Sequence, residues 1–192
     1  MAELFAVLSG IIVLIGAPFY LFDILKGKTK PQRTTWFIWS VQGIVAVVSQ
    51  AQLGAHWSLW FAGLSAAGNI SVLLLSLKYG VGGWQKLDAA ALVIAVVGVV
   101  ISVIAKAPLI ALIGVVIADL AGTVPTLKKV YRLPDTETSI TWFALGTSAL
   151  LAIGSVGTFR WSLLIYPLYY ALANYSVLVS QLLGRRRAKA AA

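Results

Sequence analysis

Residues 17–49 read APFYLFDILKGKTKPQRTTWFIWSVQGIVAVVS, and residues 124–155 read VPTLKKVYRLPDTETSITWFALGTSALLAIGS. In both stretches a proline is followed by basic residues and then by Thr-Trp-Phe, at 35–37 and at 141–143. The match continues downstream, where Asn-x-Ser-Val-Leu occurs at 69–73 and again at 174–178. Equivalent positions stay 105 to 107 residues apart, which is typical of an internal duplication. The chain therefore contains one structural module twice.

The composition indicates a membrane protein. Apolar residues make up 60% of the chain and charged residues 11%, whereas soluble domains average about 45–50% and about 25%. With no cysteine, one histidine and six acidic residues, we expect neither a disulfide nor a metal site, and no cofactor. The net charge of +9 is spread over short clusters between apolar segments, so we interpret it as a topology signal and do not expect nucleic-acid binding.

Seven segments have the length and apolarity of a membrane-spanning helix, which needs about 20 mostly apolar residues. They are residues 4–25, 35–53, 57–78, 88–105, 108–130, 139–157 and 161–183. Glycine and proline turn signals separate them, as at Gly27 and Pro31 and again at Pro134. The N-terminus lacks the features of a cleaved signal peptide, so we expect the first segment to be retained. The sequence thus predicts an all-α membrane protein with seven transmembrane helices and a basic tail at 185–192.

The basic residues predict the orientation of these helices. Thirteen of the fifteen Lys and Arg residues lie in alternate loops and in the tail, and only Lys106 and Arg160 lie on the opposite side. Positive residues favour the cytoplasmic side, so we predict an outside N-terminus and a cytoplasmic C-terminus, in a plasma membrane of the bacterial type. Residues 1–80 and 107–184 then form two parallel three-helix repeats, and residues 81–106 form a linker helix between them.

This plan resembles that of the SWEET and PQ-loop transporters. The resemblance rests on the 3+1+3 arrangement, on Pro18 and Pro125 in spans 1 and 5, and on Asn69 and Asn174 in spans 3 and 7. A PQ-loop carries Pro-Gln, and the corresponding pairs here are Pro-Phe and Pro-Thr. The resemblance implies alternating-access transport of a sugar or a similar solute, with the two asparagines in the pocket.

A second resemblance involves span 2. Trp36-x-x-Trp39-x-x-Gln42 is similar to the Trp-x-x-Trp-x-x-Asn signature of the Pnu vitamin transporters, which share the seven-helix plan. This resemblance implies a vitamin or nucleoside facilitator as an alternative.

Polar and aromatic residues of the predicted spans are the candidate substrate-binding groups. A carboxamide near the membrane centre, as in Asn69 and Asn174, offers two donors and one acceptor to a solute. The alternative for both is a helix–helix hydrogen bond. The other candidates are Trp36, Trp39, Trp142, Gln42, Gln50 and Tyr170. For the three tryptophans the alternative is an aromatic belt at the membrane interface.

Asp119 and two prolines are candidates for coupling and movement. An acid in the middle of a span is costly and is by default a functional candidate, so we predict that Asp119 binds and releases a proton during transport. The alternative is a neutral, structural carboxyl. Pro18 and Pro125 each remove a helical hydrogen bond and are predicted hinges of a cytoplasmic gate, with a static kink as the alternative. Asp23, near the end of span 1, is expected to form a local salt bridge or part of the gate.

The leading hypothesis is a membrane transporter that carries a small polar solute by alternating access, with proton coupling as one option. A non-transporting receptor or sorting protein on the same fold is an alternative, as is the Pnu-like facilitator. No phosphate-binding loop, nucleophile triad or carboxylate pair is present, so we do not expect an enzyme. The expected partners are the solute and the lipid bilayer, and a homo-oligomer is left open.

Overall fold

The computed structural model describes residues 1–82, 86–104 and 108–190, and this part of the chain is built from helices. The seven α-helices are α1 (Ala2–Leu25), α2 (Arg33–Gln52), α3 (Ser58–Tyr79), α4 (Lys86–Ile104), α5 (Pro108–Arg132), α6 (Ser139–Ser155) and α7 (Trp161–Ala190). A short 3-10 helix, Pro134–Thr136, precedes α6. The predicted all-α class is confirmed. Each helix overlaps one predicted segment, and α1 to α3 end at the turn residues that end those segments.

Parts of the sequence predictions concern residues that the structure does not describe. The predicted fourth span ends at residue 105, and Lys106 was one of the two basic residues placed on the outer side. Both positions lie outside the described residues, as do the last two residues of the predicted tail.

The end of α7 is helical as far as Ala190, through most of the stretch predicted as a separate basic tail. Contacts with the end of α5 accompany this extension. A Cβ atom on Gly184 would lie 2.6 Å from the carbonyl oxygen of Tyr131, so only glycine permits the approach. The Arg187 guanidinium lies 5.0 Å from the centre of the Tyr131 ring, a cation–π distance.

The two helix triplets, α1–α3 and α5–α7, have the same internal contacts. Helix α3 packs against both α1 and α2, and α7 packs against both α5 and α6. Between the triplets, α1 packs against α6 and α2 packs against α5. The first helix of each triplet therefore crosses the second helix of the other, as expected when a duplicated unit pairs with its copy. Helix α4 packs on α5 and α2.

Both crossings between the triplets occur at a glycine. A Cβ atom on Gly16 of α1 would lie 2.7 Å from the Cβ atom of Ala144 in α6. A Cβ atom on Gly122 of α5 would lie 3.2 Å from Ile38 in α2. Each crossing is also held by a threonine of the Thr-Trp-Phe motif. Thr141 donates a hydrogen bond to the Gly16 carbonyl at 3.0 Å, and Thr35 donates one to the Gly122 carbonyl at 3.1 Å.

The outer surface of the bundle is strongly apolar. Helices α1, α3 and α7 are the three in the described part of the chain that are long and apolar enough to cross a membrane. Helix α6 is shorter and also apolar. Large apolar side chains such as Leu74, Val93 and Leu172 are more than 60% exposed. Exposed apolar surface of this extent marks contact with a membrane or another protein, so the structure has membrane-protein character.

Candidate functional site

A small, narrow cavity of about 20 Å³, called the central cavity below, lies between α2, α3, α5, α6 and α7. It is lined by Trp36, Trp39, Asn69, Asp119, Thr123, Trp142, Leu145, Tyr170, Ala173, Asn174 and Val177. Most of the predicted site residues are thereby brought together from both triplets. The cavity lies where the two copies of the module meet, which is where a duplicated fold places residues from equivalent positions face to face.

Three indole rings form one wall of the central cavity, and we call them the indole cluster: Trp36, Trp39 and Trp142. The ring centres of Trp36 and Trp39 lie 5.0 Å apart in an edge-to-face arrangement, and those of Trp39 and Trp142 lie 5.9 Å apart. All three side chains are at most 7% exposed, so they do not form an aromatic belt. Trp57 and Trp161 are 42% and 62% exposed, which is the exposure that belt residues need.

The two predicted asparagines face the central cavity with their amide groups oriented by backbone carbonyls. Asn69 Nδ2 donates to the Trp39 carbonyl at 3.1 Å, and Asn174 Nδ2 donates to the Tyr170 carbonyl at 2.8 Å. The first of these is a helix–helix hydrogen bond and the second lies within α7. Asn174 Oδ1 is buried and has no hydrogen-bond partner. Since an unpaired buried acceptor costs about 1–3 kcal/mol, this oxygen is poised to accept a hydrogen bond from a ligand.

Asp119 is the carboxyl group of the central cavity, and three side chains donate hydrogen bonds to it. Gln42 Nε2 donates to Oδ1, while Thr123 Oγ1 and Tyr169 OH donate to Oδ2 at 3.0 Å and 2.6 Å. The Asp119 side chain is buried. An ionised carboxylate has about four acceptor positions, so this network occupies three of them. Hydrogen bonds donated to a carboxylate are stronger than neutral ones, so the network fixes the orientation of the Asp119 side chain.

The two predicted glutamines behave differently. Gln42 is not one of the residues that line the central cavity, but its side chain donates a hydrogen bond to Asp119, which is. Gln50 is buried about two turns further along α2, and its Nε2 atom has no hydrogen-bond partner. The structure does not bring Gln50 to the central cavity. The sequence offered no means of separating the two, because both are buried positions of α2.

A group of buried polar side chains closes the bundle where the α1–α2 loop meets the α5–α6 loop, and we call it the polar seal. Its centre is an ion pair between Lys129 Nζ and Glu137 Oε1, whose side chains are 8% and 1% exposed. Lys129 Nζ also donates to the Lys30 carbonyl at 2.7 Å. Trp142 Nε1 donates to Glu137 Oε2 at 3.2 Å, so the seal is joined directly to the indole cluster.

Asp23 belongs to the same seal. Thr138 Oγ1 donates to Asp23 Oδ2 at 2.8 Å and lies 2.6 Å from Thr29 Oγ1. The expected salt bridge with Lys26 or Lys28 is not among the ion pairs of the described residues. Sequence reasoning placed Asp23 near a gate but missed Glu137 and Lys129, because a lone acid in a loop carries no signal of its distant partner.

The two prolines lie inside helices, Pro18 in α1 and Pro125 in α5. Each lies within one turn of the glycine at which its helix crosses the other triplet. A third proline, Pro167, lies inside α7 and was not singled out from the sequence. It has no counterpart in α3, so the pairing of Pro18 with Pro125 is the feature that the duplication preserves.

Comparisons of this chain with models of known protein families, with curated proteins and with solved structures found no match. The resemblance to the SWEET, PQ-loop and Pnu transporters therefore stays a prediction from the sequence.

Proposed function

We propose that this protein is a seven-span membrane transporter that carries a small polar solute by alternating access around the central cavity. The observation that carries the proposal is the position of that cavity. It is buried between two copies of one module and lined by residues from equivalent positions, Trp36 with Trp142 and Asn69 with Asn174. Transporters built from repeats hold their substrate at the repeat interface, since rocking one repeat against the other exposes the site to each side in turn.

The charge distribution and the apolar surface support a plan of seven spans. The seven helices alternate with loops that place thirteen of the fifteen Lys and Arg residues on one side, and by the positive-inside rule that side is cytoplasmic. Helices α1–α3 and α5–α7 are then parallel repeats, and α4 restores the orientation between them. Under this plan the polar seal lies at the cytoplasmic end, and the N-terminus lies outside.

The polar seal supports a gating role for the prolines. The ion pair of Lys129 and Glu137 closes the end of the bundle that the proposed plan makes cytoplasmic. Pro18 and Pro125 lie in the two helices that carry Asp23 and Lys129 to the seal, and each lacks one helical hydrogen bond. Bending at the two prolines would draw the loops apart and open the cavity to the cytoplasm.

Trp142 supports a link between the solute and the gate. Its ring lines the central cavity, while its Nε1 atom donates to Glu137 of the polar seal. A solute that displaces the ring also strains the hydrogen bond to Glu137. Binding energy at the cavity is thereby available to bias the seal between closed and open states, which is what coupling requires.

One alternative has an observation in its favour. A Pnu-like facilitator for a vitamin or nucleoside needs aromatic surfaces on which a ring can stack, and the indole cluster together with Tyr170 provides them. This alternative keeps the fold, the cavity and the gate and changes only the solute.

Uptake into proteoliposomes tests the proposal. The purified full chain is reconstituted and offered sugars, amino acids, vitamins and organic amines, with and without a pH gradient. We expect uptake of at least one class above that of empty liposomes, and loss of this uptake in the Asn69→Ala/Asn174→Ala double variant. Ser71→Ala is the matched control, because Ser71 lies on α3 close to Asn69 and bonds only the Ala67 carbonyl of its own helix. Absence of uptake for every class, or full activity of the double variant, contradicts the proposal.

A further inference from the structure

The polar atoms left for a ligand in the central cavity include the buried oxygen of Asn174. Asn174 Oδ1 is buried and unpaired. Asp119 accepts hydrogen bonds from Gln42, Thr123 and Tyr169, and the Trp39 indole lies beside it. Asn69 donates one of its two amide N–H groups to the Trp39 carbonyl, so its oxygen and its second N–H remain. A ligand that satisfies the Asn174 oxygen has to donate a hydrogen bond.

The described residues that line the central cavity carry one ionisable acid and no base. Asp119 is that acid, and the described residues that line the cavity include no Lys or Arg. An anionic solute would therefore meet an acid with no base to offset it, deep in the bundle where charges interact strongly. A neutral solute would require Asp119 to stay protonated and so could not be exchanged for that proton. A cationic solute balances the carboxylate directly and can donate a hydrogen bond to the Asn174 oxygen.

The walls of the cavity also suit a cation. The indole cluster and Tyr170 contribute four aromatic rings, and the faces of aromatic rings attract cations, most strongly for tryptophan. Recognition of this kind works for ammonium and guanidinium groups and adds little for a polyol.

From these features we infer that the central cavity takes a small organic cation that bears ammonium or guanidinium N–H groups, and that it exchanges this cation for a proton at Asp119. The inference rests on the proposed transport function and names the substrate class of the same site.

The exchange follows from the single carboxyl group. With the cation bound, the Asp119 carboxylate balances the positive charge. When the cation leaves, a proton from the same side binds to the carboxylate and balances it instead. Access to the cavity therefore switches from one side of the membrane to the other only when either the cation or the proton is bound. One monovalent cation moves in one direction for each proton that moves in the other, and no net charge crosses the membrane.

A pair of near-isosteric probes tests the substrate class. Benzylguanidinium and benzylurea have nearly the same shape, but only the first is charged, and phenylacetate supplies the opposite charge. Thermal unfolding of the purified full chain is followed with each probe and with a sugar. We expect protection by benzylguanidinium at concentrations at least about ten-fold below those at which benzylurea protects, which corresponds to about 1.4 kcal/mol. Equal or better protection by benzylurea, phenylacetate or the sugar overturns the inference.

Proton exchange is tested in vesicles that contain a trapped pH indicator. External benzylguanidinium should make the interior alkaline, with one proton leaving for each cation that enters, and Asp119→Asn should abolish this change. The wild-type comparison with benzylurea stands without the variant if Asp119→Asn fails to fold. Entry of the cation without proton movement overturns the exchange. Transport of a sugar but not of the cation overturns the substrate class and leaves the proposed transport function standing, whereas transport of no solute at all overturns the proposed function itself.

Discussion

Gln42 and Ser148 occupy equivalent positions in the two halves, 106 residues apart, but they make different contacts. Ser148 and Ser9 each donate to the carbonyl of the other, at 2.8 Å and 2.9 Å, across the crossing of α1 and α6. Gln42 instead donates to Asp119 across the crossing of α2 and α5. One crossing is thus closed by reciprocal hydrogen bonds, and the other carries the acid of the central cavity. The two crossings are similar, and of the two only the crossing of α2 and α5 carries a carboxyl group at this position.

Asn174→Ala is expected to weaken solute binding more than Asn69→Ala does. Asn174 Oδ1 is free for the ligand, whereas Asn69 also holds the Trp39 carbonyl. Loss of one hydrogen bond to the ligand should cost about 0.5–1.5 kcal/mol. Binding of the transported solute, measured by titration of each purified variant, checks the order. Equal binding by wild type and Asn174→Ala would show that this oxygen does not contact the solute.

Glu137→Gln is expected to destabilise the protein strongly. The substitution leaves Lys129 buried without its counter-ion, and breaking a buried ion pair typically costs about 3–5 kcal/mol. Asp135→Asn is the matched control, because the Arg185–Asp135 pair is exposed and exposed pairs contribute little. Thermal unfolding in detergent compares the two. The double variant Lys129→Met/Glu137→Gln should recover part of the lost stability. If its loss of stability equals the sum of the losses in the two single variants, the two side chains are not coupled.

Gly16→Ala is expected to destabilise the crossing of α1 and α6. The added methyl group would lie 2.7 Å from the Cβ atom of Ala144, and overpacking of this kind typically costs about 1–3 kcal/mol. Gly63→Ala on α3 is the control, since nothing lies within 4 Å of its added Cβ atom. Alanine there should stabilise the helix slightly because of its higher helix propensity. The unfolding midpoints of the two variants should therefore move in opposite directions.

The proposed topology predicts which engineered thiols can be labelled from outside. The chain has no cysteine, so each single-cysteine variant carries one thiol. His56→Cys and Thr158→Cys lie in exposed outer loops, and Lys28→Cys and Asp135→Cys lie in exposed loops at the opposite end. An impermeant maleimide added to intact cells should label the first two variants and not the second two. The reverse pattern would invert the orientation and place the polar seal outside.

The sequence by itself determined the helices and the composition of much of the site. Segment length, apolarity and the turn residues between segments are local properties, so they predicted all seven helices. The internal repeat supplied the rest, because Trp36 with Trp142 and Asn69 with Asn174 recur at equivalent positions. Pairing of equivalent residues is visible in a sequence without any knowledge of how the helices pack.

Only the tertiary structure decided which polar groups meet. Tyr169 became a partner of Asp119 because α5 packs against α7, and Gln50 was left out because it lies on another part of α2. Burial decided that the indole cluster lines a cavity and is not an interfacial belt. The ion pair of Lys129 and Glu137 depends on how the α5–α6 loop folds back on the end of α5. The residues that make these contacts do not stand out in the hydrophobic pattern of the sequence. The contacts gain their strength from burial in the folded protein, and a sequence pattern does not show which polar residues are buried together.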